Sequence, residues 1–445
     1  MNPILTRSLL ASLLSIHVLS AKTLDVSSPS ELQKAAESAA PGDEIIIADG
    51  IWTDASIQFL AHGSSEQPIL IHPKTPGGLT LTGESHFRMG GEHIVVSGVR
   101  FVDIVNESDW CDFRYDSKKL ASNCRVTDCV FMESDALDSG AKEARWVGIY
   151  GEQNEFDHCR IEGKKSKGTA VVVWLAEGVG AAHHLHHNHW YRRERLGKNG
   201  GEALRVGDSN SSLIDARCLI EDNLFQACNG EVECISNKSC ENLYRRNLFL
   251  ETQGTLTLRH GHRCIVEGNV FLGNGVKHTG GIRIIGEDHV VRGNHLQDLE
   301  GEEARGAIVF QNGIPDTPMN GYSPVRGALI TRNQVIHCRE SLVIGYQDKD
   351  ADDAVVAPAG CKIEGNLFIA ADSRPVVVES HAPLDFSWSE NQAYGSSFGM
   401  AQVAGITFET NPPSSVPPTP SLKSWSTAGP SWMAQGPVVT STPEK

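Results

Sequence analysis

Beyond its first twenty residues the chain has no apolar run long enough to cross a bilayer as a helix. It also lacks an excess of positive charge. With 39 Lys and Arg against 55 Asp and Glu, the formal net charge is −16, which argues against a nucleic-acid binder. The same deficit excludes a generally basic surface for acidic polymers, so any polyanion site must rest on local cations or on a metal. There is no Cys-x-x-Cys pair and no His spacing of the zinc-finger type. After the first 40 residues helical periodicity is almost absent too. What the chain does have is 43 glycines in 445 residues, the composition of a turn-rich fold with room for one large domain or two ordinary ones.

The ends differ from the middle. Arg7 precedes the apolar stretch 8–20, and Val18 and Ser20 make cleavage before Ala21 plausible. This is the layout of a secretory signal peptide over 1–20, so the mature protein is expected to be exported, periplasmic or secreted. Ser28-Pro29-Ser30-Glu31 opens a short helix with a serine cap, a proline at the first position and a glutamate completing a capping box. Such a helix suits the open end of a solenoid, whose terminal unit must cover the core. Beyond Asn411 eight prolines sit among serines and threonines, and residues 411–445 are expected to form an unpacked tail. Of the eleven cysteines, Cys129, Cys159 and Cys264 lie in apolar strand-like phrases as small buried hydrophobes, while Cys111 and Cys124 are the pair to test for a bridge. The run His183-His184-Leu185-His186-His187-Asn188-His189 resembles a metal site, but strand alternation would divide it between two faces. A solvated or stacked histidine cluster is the expectation there.

Between these ends one phrase recurs: an apolar pair, a polar or small residue, asparagine, then another apolar pair. It centres on Asn223, Asn247, Asn269 and Asn294, at steps of 24, 22 and 25 residues. Later copies centre on Asn333, Asn366 and Asn391, and weaker early ones on Asp128, His158 and Asn188. Repetition at this period in glycine-rich, β-branched sequence predicts a parallel β-helix, with corresponding residues stacked about 4.8 Å apart. The domain is expected to be all-β and to span 21–410. Stacked asparagines can pair their amides along such a ladder, a structural role.

Four phrases carry chemistry: Asn-Gly-Gly-Glu (199–202), Gly-Glu-Val-Glu (230–233) running on to Ser-Asn-Lys-Ser (236–239), Leu-Arg-His-Gly (258–261) and Gly-Gly-Ile-Arg (280–283). Lys238 lies nine residues before its ladder asparagine, Arg259 ten and Arg283 eleven. These offsets predict three cations on one wall of successive coils, with no acid between them, as a groove for an anionic ligand needs. Glu231 and Glu233 alternate onto one side of a strand, and Asn199 lies about one long coil earlier. Two carboxylates and an amide oxygen are hard ligands suited to Ca²⁺.

Together these phrases and their spacings resemble polysaccharide lyase family 6, the alginate lyases and chondroitinase B, over roughly residues 25–400. The resemblance implies a single-domain right-handed parallel β-helix. It implies Ca²⁺ held by Asn199, Glu231 and Glu233, with Lys238 as base, Arg259 as catalytic acid, and His260 and Arg283 contacting substrate. No position departs from the family's phrases.

The implied reaction is β-elimination on a uronate. Removing the C5 proton beside the carboxylate builds an enolate-like dianion, which a metal and cations stabilise. A lysine serves as base only when neutral, which neighbouring positive charge favours. Arginine is a poor acid, so stabilising the departing O4 is the firmer part of the role of Arg259. Alginate is the expected substrate by analogy with the family. Dermatan sulfate is the alternative, for which Arg305 and Arg326 offer extra loop cations. A pectate lyase, a hydrolase using Glu231 and Glu233 as its carboxylate pair, and a non-catalytic carbohydrate-binding solenoid are the remaining readings. The protein is expected to act as a monomer. Asn237-Lys238-Ser239 matches a glycosylation sequon, but a glycan there would bury the proposed base, so the match is read as accidental.

Overall fold

The computed structural model describes residues 21–137, 143–349 and 351–433; the signal-peptide expectation and the last part of the tail lie outside them. Three parallel sheets, two of 14 strands and one of 13, run the length of the molecule. Each coil contributes one short strand to each sheet, and strands pair with their counterparts one coil away, as Leu219, Leu243, Ile265 and Val290 do in sequence. This is a parallel β-helix. Alternation sends one set of side chains into the lumen, where Trp190, Phe225, Phe249 and Phe271 stack with ring centroids 4.5, 4.9 and 4.3 Å apart. The repeat of the sequence thus becomes a column of aromatic contacts spaced by the coil rise.

The helix Pro29–Ser38 closes the N-terminal end with Leu32 and Ala36 fully buried. Ser28 Oγ accepts from the Glu31 N–H at 3.3 Å, while the Glu31 carboxylate reaches back one residue further than a capping box requires, to the Ser27 N–H at 2.8 Å.

The asparagines form a continuous ladder at the corner between the two 14-stranded sheets. The backbone N–H and side-chain Nδ2 of Asn247 both donate to Asn269 Oδ1 at 2.9 Å, and those of Asn269 to Asn294 Oδ1 at 2.9 and 3.0 Å. The same double link runs from Asn188 through Asn223 at one end and through Asn333 and Asn366 to Asn391 at the other. The two earliest copies are displaced by one residue. Asp128 and His158 occupy the left-handed turn position (φ 52° and 46°), and the residues in line with the ladder are Cys129 and Cys159.

All eleven cysteines are free and buried, so Cys111 and Cys124 form no bridge. Asn237 of the sequon is wholly buried and donates to Ser239 O and His260 O, out of reach of a glycan.

Residues 411–433 differ from the unpacked tail that their composition predicts. They run back along the ladder corner toward the N-terminus. Thr419 donates to Gln297 Oε1 at 2.8 Å, Trp425 Nε1 to Arg246 O at 2.7 Å, and Gly429 N to His187 O at 2.7 Å. Ser431 N and Trp432 Nε1 both bond Asp128. Trp425 is buried against Leu224, Leu248, Leu250, Val270 and Leu272. Proline withholds backbone donors from a ladder but leaves side chains free to pack, and two tryptophans supply the anchoring area.

Candidate active site

The strands Glu233–Lys238, Thr255–His260 and Ile282–Ile284 are neighbours in the 13-stranded sheet. Lys238 stands opposite His260, and Arg283 opposite Thr257, with a register shift after Asn237. The three cations therefore lie on one wall of successive coils, as expected, with Arg283 two residues out of line with Arg259. Nor are they without an acid. Glu233 Oε1 lies 3.9 Å from Arg259 Nε and 3.7 Å from Arg283 Nη1. The near-equal offsets placed the cations on one sheet but could not show that the Glu233 side chain folds between them.

Arg283 is 4% exposed. Its Nε donates to Gln311 Oε1 at 2.6 Å, and its Nη2 lies 3.7 Å from Asp348 yet makes no hydrogen bond. A buried guanidinium nitrogen without a hydrogen bond is costly for stability alone. Arg259 lies with its guanidinium 4.0 Å over the Tyr322 ring and donates to Gly321 O at 3.3 Å. Burial lowers the pKa of Arg259, with Glu233 pulling the other way. His260 is buried beside it, 3.4 Å from Arg259 Nη1 and from Ser209 Oγ. Burial, then the charges of Arg259 and Lys238, push this imidazole down to about 3, so it is neutral at any working pH.

The carboxylates gather around two glycines. Gly201 and Gly230 pack backbone against backbone: a Cβ on Gly230 would stand 2.0 Å from Gly201 O, so neither position accepts a side chain. That close approach lets the N–H groups of Gly200 and Gly201 donate to Glu231 Oε1 at 3.3 and 3.1 Å. Asn199, exposed, is the next residue along. Glu202, two residues beyond Gly200, is 2% exposed and takes a hydrogen bond from Thr169 at 3.0 Å. Burial, then the negative charges of Glu202 and Glu233, push Glu231 up to about 9. Glu202 thus joins the acidic cluster, although only Asn199, Glu231 and Glu233 were singled out as ligands. Its place in the Asn-Gly-Gly-Glu phrase was the available signal.

Tyr322 and Asp348 come from loops, and Tyr346 ends the strand Leu342–Tyr346; none of the three carries a periodic signal. Tyr322 donates to Asp348 Oδ2 at 2.9 Å, and Tyr346 lies 5.9 Å from the Arg283 guanidinium. Residues 312–324 fold back over the sheet, where Ser212, some hundred residues earlier, donates to Met319 O at 3.4 Å. Arg305 faces the site: its Nε donates to Gln253 O at 2.9 Å, and Arg195, Arg283 and Glu231 act on its charge. Arg326 does not. It is more than half exposed and 3.9 Å from Glu287, past the next corner.

The same face of the sheet carries an aromatic and cationic row in the preceding coils. Arg114 lies 3.9 Å over Tyr150, Tyr150 stacks 6.0 Å from Trp174, and Arg145 and Arg205 lie 5.3 and 5.1 Å from Trp174.

A family model described as Chondroitinase B matches residues 26–410. The chain belongs to this family, polysaccharide lyase family 6. Among solved structures it is similar to the PL6 family alginate lyase AlyGC, at 33% identity and a TM-score of 0.81, covering 94% of this chain and 57% of that one. A mannuronic acid specific family 6 lyase from human gut microbiota is similar at 28% identity and a TM-score of 0.80, covering 93% and 97%. The chain thus spans a little over half the length of AlyGC. No curated protein matches the chain.

Proposed function

We propose that the protein is a calcium-dependent lyase that cleaves alginate by β-elimination. The observation that carries this reading is the convergence of Arg259 and Arg283 on Glu233, beside Lys238 and against the Glu202–Glu231 pair. The acidic cluster fits a hard divalent cation. Carboxylates crowded enough to push Glu231 up to about 9 are a set of oxygen donors whose mutual repulsion such an ion relieves. Asn199, Glu231 and Glu233 would hold Ca²⁺, with Glu202 completing the set. Bound calcium supplies positive charge to the uronate carboxylate and acidifies the C5 proton.

The remaining work falls to side chains of this chain. Arg283, whose Nη2 has no hydrogen bond, pairs with a uronate carboxylate. Lys238 takes the C5 proton in its neutral form. Arg259, held in place by Tyr322 and Gly321, stabilises negative charge on the departing O4. His260, neutral, offers hydrogen bonds without adding charge. The product carries a C4–C5 double bond at its new non-reducing end. The row from Arg114 to Trp174 continues the groove toward the N-terminal end of the solenoid, as a polymer substrate needs.

Alginate is favoured because AlyGC, similar at 33% identity, is an alginate lyase. Dermatan sulfate is the second reading, supported by Arg305 and Arg195 next to Arg283, where a sulfate could pair. The protein acts as an exported monomer in this reading. Incubation with alginate, dermatan sulfate and pectate, followed by ultraviolet absorbance of the unsaturated uronyl end, decides among substrates. New reducing ends without absorbance would mean hydrolysis, and neither would mean a binding protein. Activity lost in chelator and restored by Ca²⁺ is expected; full activity in chelator would remove calcium from the mechanism.

A further inference from the structure

The histidine run was expected to divide between two faces, and only part of it does. His183 is buried and Leu185 points into the lumen, while His184 and His186 face outward from the strand His184–His186. His187 then adopts the left-handed turn conformation (φ 52°), and His158 holds the equivalent turn position one coil earlier. The turn interrupts alternation and brings His187 to the same corner as His186. The rings of His158 and His187 stack at 4.9 Å, and His186 stands edge-on to them at 5.9 and 5.2 Å.

Two hydrogen-bonding features set this cluster apart from an ordinary stack of solvated imidazoles. His186 Nδ1 and His187 Nδ1 face each other at 2.9 Å. One proton at most fits on that contact, so one of the two nitrogens presents a lone pair. Beneath them the wholly buried Asp157 carboxylate takes both Arg125 bonds at 2.7 Å, Thr127 Oγ1 at 2.8 Å and His158 Nδ1 at 2.7 Å. A carboxylate so saturated leaves His158 with its proton on Nδ1 and its lone pair on Nε2. Carboxylate-backed histidine is the arrangement that orients metal-binding imidazoles. Donor atoms of Asp157, His158 and His186 all lie within 4.8 Å of one another, and His187, outside that group, joins it through its 2.9 Å contact with His186.

We propose that this corner binds one divalent transition-metal ion of the zinc class, through His158, His186 and His187, with Asp157 orienting His158. Imidazole suits zinc, copper and nickel, and does not suit calcium. In a tetrahedral site two imidazole nitrogens stand about 3.3 Å apart, so the Nδ1–Nδ1 contact opens by a few tenths of an ångström when an ion replaces its proton. Because the ligands come from two coils, the ion would pin one coil to the next. It would do so on a corner of the solenoid away from the acidic cluster, between the other two sheets.

The test uses the full chain, stripped with chelator and then saturated with Ca²⁺ so that hard oxygen sites are filled. Zn²⁺ is titrated by calorimetry, and Co²⁺ by visible d–d absorbance. One equivalent of Zn²⁺ is expected to bind and to raise the thermal midpoint, and Co²⁺ is expected to show the bands of a nitrogen-ligated site. The His158→Gln/His186→Gln variant should bind Zn²⁺ about ten-fold more weakly or worse and lose the rise in midpoint. His187→Asn, which keeps the left-handed turn, provides the same comparison if the double variant does not fold. No Zn²⁺ binding by the unaltered chain, or binding unchanged in the variants, would overturn the proposal.

Discussion

The asparagine corner and the cationic sheet are built by the same device, a residue repeated once per coil, and they use it in opposite ways. At the corner each amide meets an identical amide, and every buried donor from Asn188 to Asn366 finds an acceptor in the next coil. On the sheet the coils bring together unlike groups that do not satisfy one another: Arg283 Nη2, Gln311 Nε2 and Ser236 Oγ are buried without hydrogen bonds, and three glutamates crowd together. Saturation yields stability and little else. Groups left unsatisfied are costly to the fold and are available to a ligand.

Four experiments press on this contrast. Lys238→Ala should lower turnover by about 10²–10⁴-fold in the ultraviolet assay while leaving the thermal midpoint nearly unchanged; a large fall in midpoint would place Lys238 with the structural residues. Asn269→Ala should do the reverse. It removes the acceptor of two buried Asn247 donors, at roughly 2–5 kcal/mol, read as a shifted urea midpoint. Activity at low temperature should survive.

Glu231→Gln probes the crowded carboxylates. The folded protein holds the Glu231 proton up to about 9, against 4.5 ordinarily, so the folded state binds more protons than the unfolded one throughout that window. In chelator the stability should therefore decline as pH rises from about 4.5 to 9, and both Ca²⁺ and Glu231→Gln should flatten the decline. A midpoint already flat in the unaltered, metal-stripped chain would contradict the crowding. The smallest effect is expected from Trp425→Ala. Limited proteolysis should then release the C-terminal segment, with turnover and the main unfolding transition close to those of the unaltered chain.

The solenoid was legible because its repeat is written in one residue type. Asn223, Asn247, Asn269 and Asn294 each need the same turn and the same partner, so their spacing reports the coil directly. Asp128 and His158 misled by one position, because cysteines fill the ladder there and the conspicuous polar residue is the one in the turn. The acidic and basic members of the site were legible as phrases on neighbouring strands. Their mutual geometry was not: a register shift after Asn237 sets Lys238 opposite His260, and the regular pairing of the next strand leaves Arg283 level with Thr257, two residues from Arg259. Tyr322 and Asp348 could not be read at all: they sit on loops, where position is set by tertiary contact and leaves no period. The C-terminal segment was misjudged because proline content reports on backbone hydrogen bonding and says nothing of where Trp425 and Trp432 can lodge.

That segment has a consequence for how the molecule is assembled. In a solenoid each coil touches only its neighbours, so winding can begin anywhere and spread step by step, and fraying can do the same. Thr419, Trp425, Gly429 and Ser431 bond coils as far apart as those of Gln297 and Asp128. These contacts do not exist until the coils beneath them are wound, and the residues that make them follow in the sequence every coil they cross. The segment therefore acts as a latch: it is fastened after winding is complete, and it must be lifted before the coils it crosses can fray one at a time.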